Sequence, residues 1–154
     1  MRKNSFISKL EKNRVLLTWV EILVNIKHHI LRISRDDWMR QVFEVRKYYS
    51  GMRSIKGWQI GSIVIFLKKV GKADSIIGYG VIKGIETLDN LSGDEKALCQ
   101  KHGWKVAVRF SDLERLEPPK PLKETTIGEW DVKGRLLHGR TLSNEEIKLI
   151  LEED

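Results

Sequence analysis

The sequence predicts an α+β domain built around a compact, curled β-sheet. Two apolar runs rich in β-branched residues, 58–69 and 75–85, flank a short basic loop, which is the pattern of a β-hairpin. A third run, 104–110, alternates apolar and charged residues as a half-buried strand does. Segments with helical spacing lie between these runs, so helices and short strands are mixed along the chain.

The first element predicted is a helix over about 5–24, where apolar residues recur at roughly helical spacing with cations between them. We assign residues 1–26 to an N-terminal helical extension. A strand follows over 27–33, where successive side chains alternate. An amphipathic helix outside the main domain can contact a partner, so we expect a possible homodimer through this N-terminal helix.

The second helix is predicted to begin at Ser34, because Ser34 and Asp37 have the spacing of a capping box. Its apolar stripe starts at Trp38 and continues to Tyr49. Gly51 is expected to end this helix, since glycine adopts the left-handed conformation that closes helices.

The remaining elements follow from similar signals. A short helix is predicted from Ser92 to about residue 103. All three prolines lie in 118–121, which predicts an extended connector. A short strand is expected over 136–138. Ser143 and Glu146 form a second capping box, which predicts a terminal helix.

Glycines at 78, 80 and 84 leave one face of the second hairpin strand without side chains. Something must approach that face closely, either another part of the protein or a ligand. No helix follows Gly78 and Gly80, and no Gly-Lys-Ser/Thr sequence is present, so these glycines do not form a phosphate-binding loop. We therefore favour close packing within the sheet over a ligand pressed against the backbone.

The charge is positive and unevenly distributed. The chain has 28 Lys and Arg against 21 Asp and Glu, for a net charge of +7. Residues 1–72 hold 16 cations and 5 anions, a net +11, whereas residues 73–154 hold 12 and 16, a net −4. Excess positive charge attracts polyanions, and nucleic acid is the commonest of these. The alternative is a solvated basic surface that only keeps the protein soluble.

Several classes of protein are disfavoured by the sequence. Cys99 is the only cysteine, so the chain has no intrachain disulfide or four-cysteine zinc site, and a cytoplasmic location is expected. The longest apolar run near the start, 15–24, contains Glu21 and is too short to cross a bilayer. His28 and His29 are adjacent and would point to opposite faces of a strand, so we expect neither a metal site nor a cofactor.

Catalysis has little support in the sequence, since neither a serine elbow nor a Cys–His pairing is recognisable. Aromatic residues among cations are more informative. Trp38 has Arg35 and Arg40 nearby, and Trp58 has Arg53 and Lys56. Aromatic rings stack on unpaired bases while Lys and Arg bind phosphates, so both tryptophans are candidates for ligand contact. The alternative for both, and our expectation for Trp104, is packing in the core.

Five segments of the chain, taken in order, resemble segments of EVE domains. They are ISRDDW at 33–38, IGSIVIF at 60–66, IIGYGVI at 76–82, WKVAV at 104–108 and LHGRTLS at 137–143. EVE domains belong to the PUA-like superfamily, which also contains ASCH and YTH domains. Two positions depart from the EVE pattern: Asp37 stands where Asn is usual, and Ser62 stands where an acidic residue is usual.

The resemblance implies a PUA-like β-pseudobarrel with peripheral helices over residues 27–154, of the EVE or ASCH type. It also implies a pocket for a base, often modified, from single-stranded RNA or DNA or flipped from a duplex. Ser34, Asp37 and Trp38 would line that pocket, and His138 and Arg140 would lie near its mouth. The complete set of predicted nucleic-acid-binding residues is Ser34, Arg35, Asp37, Trp38, Lys56, Trp58, Lys68, Lys69, Lys72, Arg109, His138 and Arg140.

Sequence and resemblance together favour a non-enzymatic nucleic-acid-binding module that recognises RNA or a modified base. Two alternatives stay open at this point. One is an RNA-processing nuclease similar to ASCH domains. The other is a protein-interaction domain that uses the N-terminal helix.

Overall fold

A computed structural model of the chain describes residues 26–51, 55–130 and 134–152. The helix predicted over 5–24, and with it the proposed homodimer contact, lies outside these residues. The strands of the described part are β1 His28–Arg32, β2 Lys47–Ser50, β3 Ile63–Val70, β4 Ala73–Thr87, β5 Val106–Pro121 and β6 Thr141–Leu142. Its α-helices are α1 Asp36–Val45, α2 Gly93–His102 and α3 Asn144–Glu152. The prediction of an α+β fold is confirmed.

The six strands form one mixed sheet in the order β2-β5-β4-β3-β1-β6, so β2 and β6 are its edges. β1 runs parallel to β3, and the other neighbours are antiparallel. The predicted hairpin is confirmed, since β3 and β4 pair from Ile63 with Val81 to Val70 with Ala73. Gly71, in the tight turn between them, has φ of 66°, a left-handed conformation that favours glycine.

The segment after β1 differs from its prediction. α1 begins at Asp36 with Arg35 as the N-cap residue, and no side chain caps it, so the predicted capping box of Ser34 does not form. α1 also ends early, at Val45, because Arg46 adopts a left-handed φ of 65° that breaks the helix. The residues after Arg46, which were predicted to continue the helix, form β2 and pair with β5.

The proline segment 118–121 is the end of β5 and not a separate connector. Pro121 pairs with Ser75 of β4. β2 covers β5 only up to Arg109, so beyond that point one edge of β5 has no strand neighbour in the described sheet. Proline is tolerated at such an edge because its missing N–H removes no ladder hydrogen bond. The strand expected over 136–138 is also wrong: 3₁₀ helix occupies Gly134–Leu137, and β6 follows it.

The sheet has two apolar faces, which we call the α3 face and the α1 face after the helices that pack on them. The buried side chains of the α3 face include Ile30, Ile65, Leu67, Ile76, Leu142, Ile147, Ile150 and Leu151. Those of the α1 face include Leu31, Val42, Trp58, Val64, Phe66, Ile82, Val108 and Phe110. A smaller cluster of Tyr49, Leu91, Cys99 and Ala107 lies beneath α2.

The glycines of β4 are positions of close packing. A Cβ on Gly78 would lie 2.6 Å from Cζ of Phe43 on α1, and a Cβ on Gly80 would lie 2.8 Å from Cδ2 of Leu113 on β5. Contacts this short are too close for carbon atoms. Gly78 therefore requires glycine, since its Cβ would also meet the backbone of Glu114, whereas at Gly80 the end of the Leu113 side chain would have to move. Protein atoms therefore fill the space above this strand, as the sequence interpretation favoured.

The terminal helix forms as predicted. The N–H of Glu146 donates to Oγ of Ser143 at 3.1 Å, and the N–H of Ser143 donates to Oε1 of Glu146 at 3.0 Å, which completes the capping box. Ile147, Ile150 and Leu151 of α3 are buried against the sheet. Among the described residues, no helix has the length and apolar content needed to cross a membrane.

Candidate nucleic-acid interface

A cleft of about 230 Å³ lies between α1 and the edge strand β2. Its walls are formed by Trp38, Gln41, Val42, Tyr48, Tyr49, Ser50, Gly51 and Trp104. Half of these residues are aromatic, and none carries a charged side chain. Such a cleft is suited to a planar, uncharged ring that stacks on aromatic faces.

Local geometry explains why these residues meet. Trp38 and Gln41 are three residues apart on α1 and therefore share one side of the helix. The left-handed Arg46 then reverses the chain, so that β2 returns beside α1. Trp104 precedes β5 and is fixed by its N–H, which donates to the carbonyl oxygen of Cys99 at 2.9 Å.

The aromatic rings of the cleft differ in how much of each is already in contact with protein. Trp104 is stacked on both Tyr49 and His102, with ring centroids 5.4 and 4.4 Å apart. The ring of Tyr48 is stacked on the buried ring of Trp58, with the two centroids 6.3 Å apart. Trp38 is 37% exposed, and its recorded ring contact is with the Arg35 guanidinium, 5.0 Å from the ring centroid. Trp38 therefore offers the most accessible ring.

The polar side chains of the cleft differ in whether they already form hydrogen bonds within the protein. The hydroxyl of Ser50 donates to the carbonyl oxygen of Gly51 at 3.0 Å. The hydroxyl of Tyr49 donates to Oε2 of Glu95 at 2.6 Å, and burial together with that carboxylate raises the pKa of Tyr49. The carboxamide of Gln41, which also lines the cleft, makes no hydrogen bond to a described residue.

The predicted residues around the start of α1 lie beside the cleft. Ser34, Arg35 and Asp37 are exposed, and Arg35 donates to both carboxylate oxygens of Asp37 at 3.0 and 2.8 Å. This hydrogen-bonded pairing lowers the pKa of Asp37. Lys68 of β3 forms an ion pair of 2.7 Å with Asp36, which lowers the pKa of that carboxyl and joins the hairpin to α1.

Two predicted contact residues have other roles. Trp58 is only 7% exposed and packs in the core of the α1 face between His29 and Tyr48, at centroid distances of 5.1 and 6.3 Å. Its ring is therefore not open to a base, and we correct its assignment to core packing. Arg109 forms an ion pair of 2.7 Å with Glu86, so its charge is already balanced within the protein.

Two further predicted residues lie away from the cleft. His138 and Arg140 lie beside β1, where the N–H of Arg32 donates to Nδ1 of His138 at 3.0 Å and the Arg140 guanidinium lies 3.9 Å from the ring centroid of Trp130. That side of the sheet is opposite the β2 edge, so the structure does not bring these two residues to the cleft. The other predicted cations, all exposed, are Lys56, Lys69 and Lys72.

The adjacent histidines of β1 point to opposite faces, as expected. Nδ1 of His28 accepts the N–H of Ile63 at 2.8 Å, and its Nε2 donates to Oδ1 of Asn144 at 2.6 Å. His29 is 2% exposed on the α1 face, and neither of its ring nitrogens has a hydrogen-bond partner among the described residues. Burial, with a smaller effect from the neighbouring His28, lowers the pKa of His29 to about 4.

Of the residues that line the cleft, the sequence analysis predicted only Trp38 as a ligand contact. Tyr48 and Tyr49 are a pair of β-favouring residues, which was the available signal for the edge strand. Gln41 could have been found from its spacing to Trp38.

In the described ranges, no group of three His, Cys, Asp or Glu side chains could hold a metal ion. No family model matches the chain, and no curated protein matches it either.

Proposed function

We propose that this protein binds nucleic acid without chemical turnover, and that an unpaired base of RNA or DNA stacks on Trp38 in the cleft. The observation that carries this proposal is an accessible indole ring in an uncharged aromatic cleft, within a chain of net charge +7. Stacking of a base on an aromatic side chain contributes about 1–3 kcal/mol.

Cations near the cleft supply the contacts to phosphate. Arg40 is exposed on the same helix as Trp38, whereas Arg35, which lies over the Trp38 ring, is already paired with Asp37. The ion pair of Lys68 with Asp36 keeps the hairpin against α1, and Lys69 lies exposed on that hairpin. A backbone that crosses from the hairpin to α1 would meet these charges in turn, and it would release counterions as it binds.

A PUA-like pseudobarrel is part of the proposal. β4 and β5 are long strands of 15 and 16 residues, and their pairing shifts register at three places. Such irregularities bend and twist a sheet, which favours a curled, barrel-like shape.

We also propose that the protein works in the cytoplasm, where a free thiol such as that of the buried Cys99 stays reduced.

The first experiment is a binding panel. Fluorescence anisotropy would compare labelled single- and double-stranded RNA and DNA, with plain and modified bases, at about 50 and about 200 mM salt. We expect single strands to bind more tightly than duplexes, because their bases are free to stack, and every affinity to fall at the higher salt. The same oligonucleotides on a denaturing gel test the nuclease alternative, and intact strands are expected.

The second experiment tests the cleft itself. Trp38→Ala should weaken single-strand binding about tenfold or more, whereas Trp38→Phe should retain most of the affinity because an aromatic face remains. Ile60→Ala is the matched control, since Ile60 is 65% exposed in a turn and does not line the cleft. Unchanged binding by folded Trp38→Ala would exclude the cleft as the binding site.

A further inference from the structure

The helix α2 is joined to the sheet by little side-chain packing. In this helix, all of which the structure describes, Cys99 is the one buried residue. Gly93 begins the helix with φ of 58°, and Gly103 follows it with φ of 73°. A Cβ on either glycine would meet no described atom within 4 Å, so each is needed for its backbone angle and not for close packing. Hinges are positions of this kind, at the ends of an element, so α2 needs a further contact to hold it in place.

Glu95 supplies that contact. Its Oε2 accepts hydrogen bonds from Nζ of Lys47 and from the hydroxyl of Tyr49, each at 2.6 Å, and both donors lie on the edge strand β2. The Lys47 ammonium and the Tyr49 hydroxyl lower the pKa of the Glu95 carboxyl, so this group is ionised at neutral pH. Hydrogen bonds to an ionised group are stronger than those between neutral groups. One carboxylate therefore connects α2 to a strand that lines the cleft.

Two aromatic rings of the cleft are positioned by α2. The hydroxyl of Tyr49 is held by Glu95. Trp104 is stacked on Tyr49 and on His102, the last residue of α2, and its N–H donates to the carbonyl oxygen of Cys99. The other wall of the cleft belongs to α1, so a movement of α2 would change the width of the cleft. A gap of about 0.5–1 Å already removes roughly a quarter to a half of the attraction between two atoms in contact.

We propose that Glu95 is a positioning residue of the cleft, which holds α2 against β2 and thereby sets the distance between the aromatic walls for a stacked base. This inference rests on the nucleic-acid-binding function proposed above. Glu95 is not among the residues that line the cleft, so its effect on affinity passes through Tyr49 and Trp104.

Hydrogen–deuterium exchange and fluorescence anisotropy with a labelled single-stranded RNA of mixed sequence test this role in the full chain. Glu95→Leu should make the amides of α2 exchange about ten- to hundredfold faster, since two hydrogen bonds to a charged group are lost, while the amides of β3 and β4 keep their rates. It should also weaken RNA binding about five- to tenfold, because the cleft is no longer preorganised. Glu95→Gln keeps an acceptor oxygen for Lys47 and Tyr49 and should recover most of both losses.

Glu86→Leu is the matched control. Glu86 is 27% exposed, as Glu95 is, and it also accepts an ion pair, from Arg109, but it lies on β4. Both substitutions raise the net charge by the same amount, and Glu86→Leu should neither speed exchange in α2 nor weaken binding. In a Trp38→Ala background, Glu95→Leu should cause little further loss of affinity, because the stacking on which it acts is already gone.

The outcomes separate this inference from the function on which it rests. If the wild-type protein binds no RNA or DNA, the proposed function fails and the positioning role fails with it. If Trp38→Ala abolishes binding but exchange in α2 is the same in Glu95→Leu and wild type, the function stands and the inference is wrong. Faster exchange in α2 with an affinity equal to that of Glu86→Leu would show that Glu95 only stabilises the helix, and would also overturn the inference.

Discussion

Two adjacent histidines, one on each face of the sheet, differ in their hydrogen bonding. On the α3 face, both ring nitrogens of His28 are hydrogen bonded, one to the backbone of Ile63 and one to Asn144 at the start of α3. On the α1 face, both ring nitrogens of His29 are buried without a partner in the described part of the chain. Leaving a buried polar group unpaired costs about 1–3 kcal/mol, so the two faces are not equally optimised for stability.

The contrast is less complete for other polar groups, since Asp36 and Asp37 at the start of α1 are both in ion pairs. Around the α3 face, Ser143 and Glu146 cap α3, and Arg32 forms an ion pair with Asp74. On the α1 side, Gln41 and the open ring of Trp38 border a cleft. Natural proteins depart from full internal pairing mainly where a function requires it. The α3 face is thus the more completely hydrogen bonded of the two, and the cleft proposed above as the binding site lies on the α1 side.

The largest expected effect separates the two tryptophans of the α1 side. Trp58→Ala should lower the free energy of unfolding by about 3–5 kcal/mol, because it empties a buried, stacked position. Trp38→Ala should cost under about 1 kcal/mol, since its ring is partly exposed. Urea unfolding followed by circular dichroism measures both. Equal costs would remove the distinction between a core tryptophan and a ligand-binding one.

The next effect concerns pH and tests the unpaired histidine directly. The pKa of folded His29 is about 4, below its ordinary 6.5, so the unfolded chain binds more protons between these values. The stability contributed by neutral His29 is complete above pH 6.5 and is lost as the pH falls toward 4, by roughly 3 kcal/mol.

His29→Phe keeps a ring against Trp58 and should remove this part of the pH dependence. Its stability at neutral pH should not fall, because no hydrogen bond is lost. Urea unfolding of both proteins across the range from pH 4 to 7 gives the difference that belongs to His29. Parallel curves for wild type and variant would show that His29 is paired or solvated in solution.

A smaller effect tests how α1 is seated on the sheet. Gly78→Ala should destabilise the protein by about 1–3 kcal/mol, since the added methyl group would collide with Phe43 of α1 and with the backbone of Glu114. Gly51→Ala is the matched control, because its Cβ would meet nothing within 4 Å. Thermal unfolding of Gly78→Ala and Gly51→Ala gives the difference in their stability. A neutral Gly78→Ala would mean that α1 packs less closely on β4 than described.

The smallest effect compares two serines that both looked like helix caps in the sequence. Ser143→Ala should cost about 1 kcal/mol, because it removes the hydrogen bond to the N–H of Glu146. Ser34→Ala should be nearly neutral, since no side-chain cap is formed at α1. Chemical unfolding of both variants measures the free energy of unfolding. An equal decrease for Ser34→Ala and Ser143→Ala would contradict the assigned start of α1.

Sequence reasoning succeeded where a pattern had one structural solution. The β3–β4 hairpin followed from two β-branched runs with a glycine-containing turn, and α3 followed from its capping box and apolar spacing. The strand β2 was missed because Val42, Val45 and Tyr49 continue a helical spacing and nothing at Arg46 signals a left-handed turn. A non-glycine residue adopts that conformation only when the surrounding structure compensates its cost.

The candidate site was less predictable than the fold. Trp38 was identified from its charged neighbours, but the other walls come from β2 and from Trp104, which meet α1 only after the sheet is assembled. Trp58 shared the same local signal, yet tertiary packing buries it. The charge pattern could not show which cations are already neutralised by a carboxylate, as Lys68 is by Asp36 and Arg109 is by Glu86.

The left-handed turn at Arg46 has a consequence for how this cleft forms and how it can change. Seven of the eight residues that line the cleft belong to the single stretch 38–51, which this turn folds back on itself. Contacts between residues close in sequence form quickly, because little chain entropy is lost in bringing them together. If the proposed ligand binds in this cleft, most of its contacts come from one short segment of the chain, and substitutions in that segment could change ligand preference without changing the strand order of the sheet.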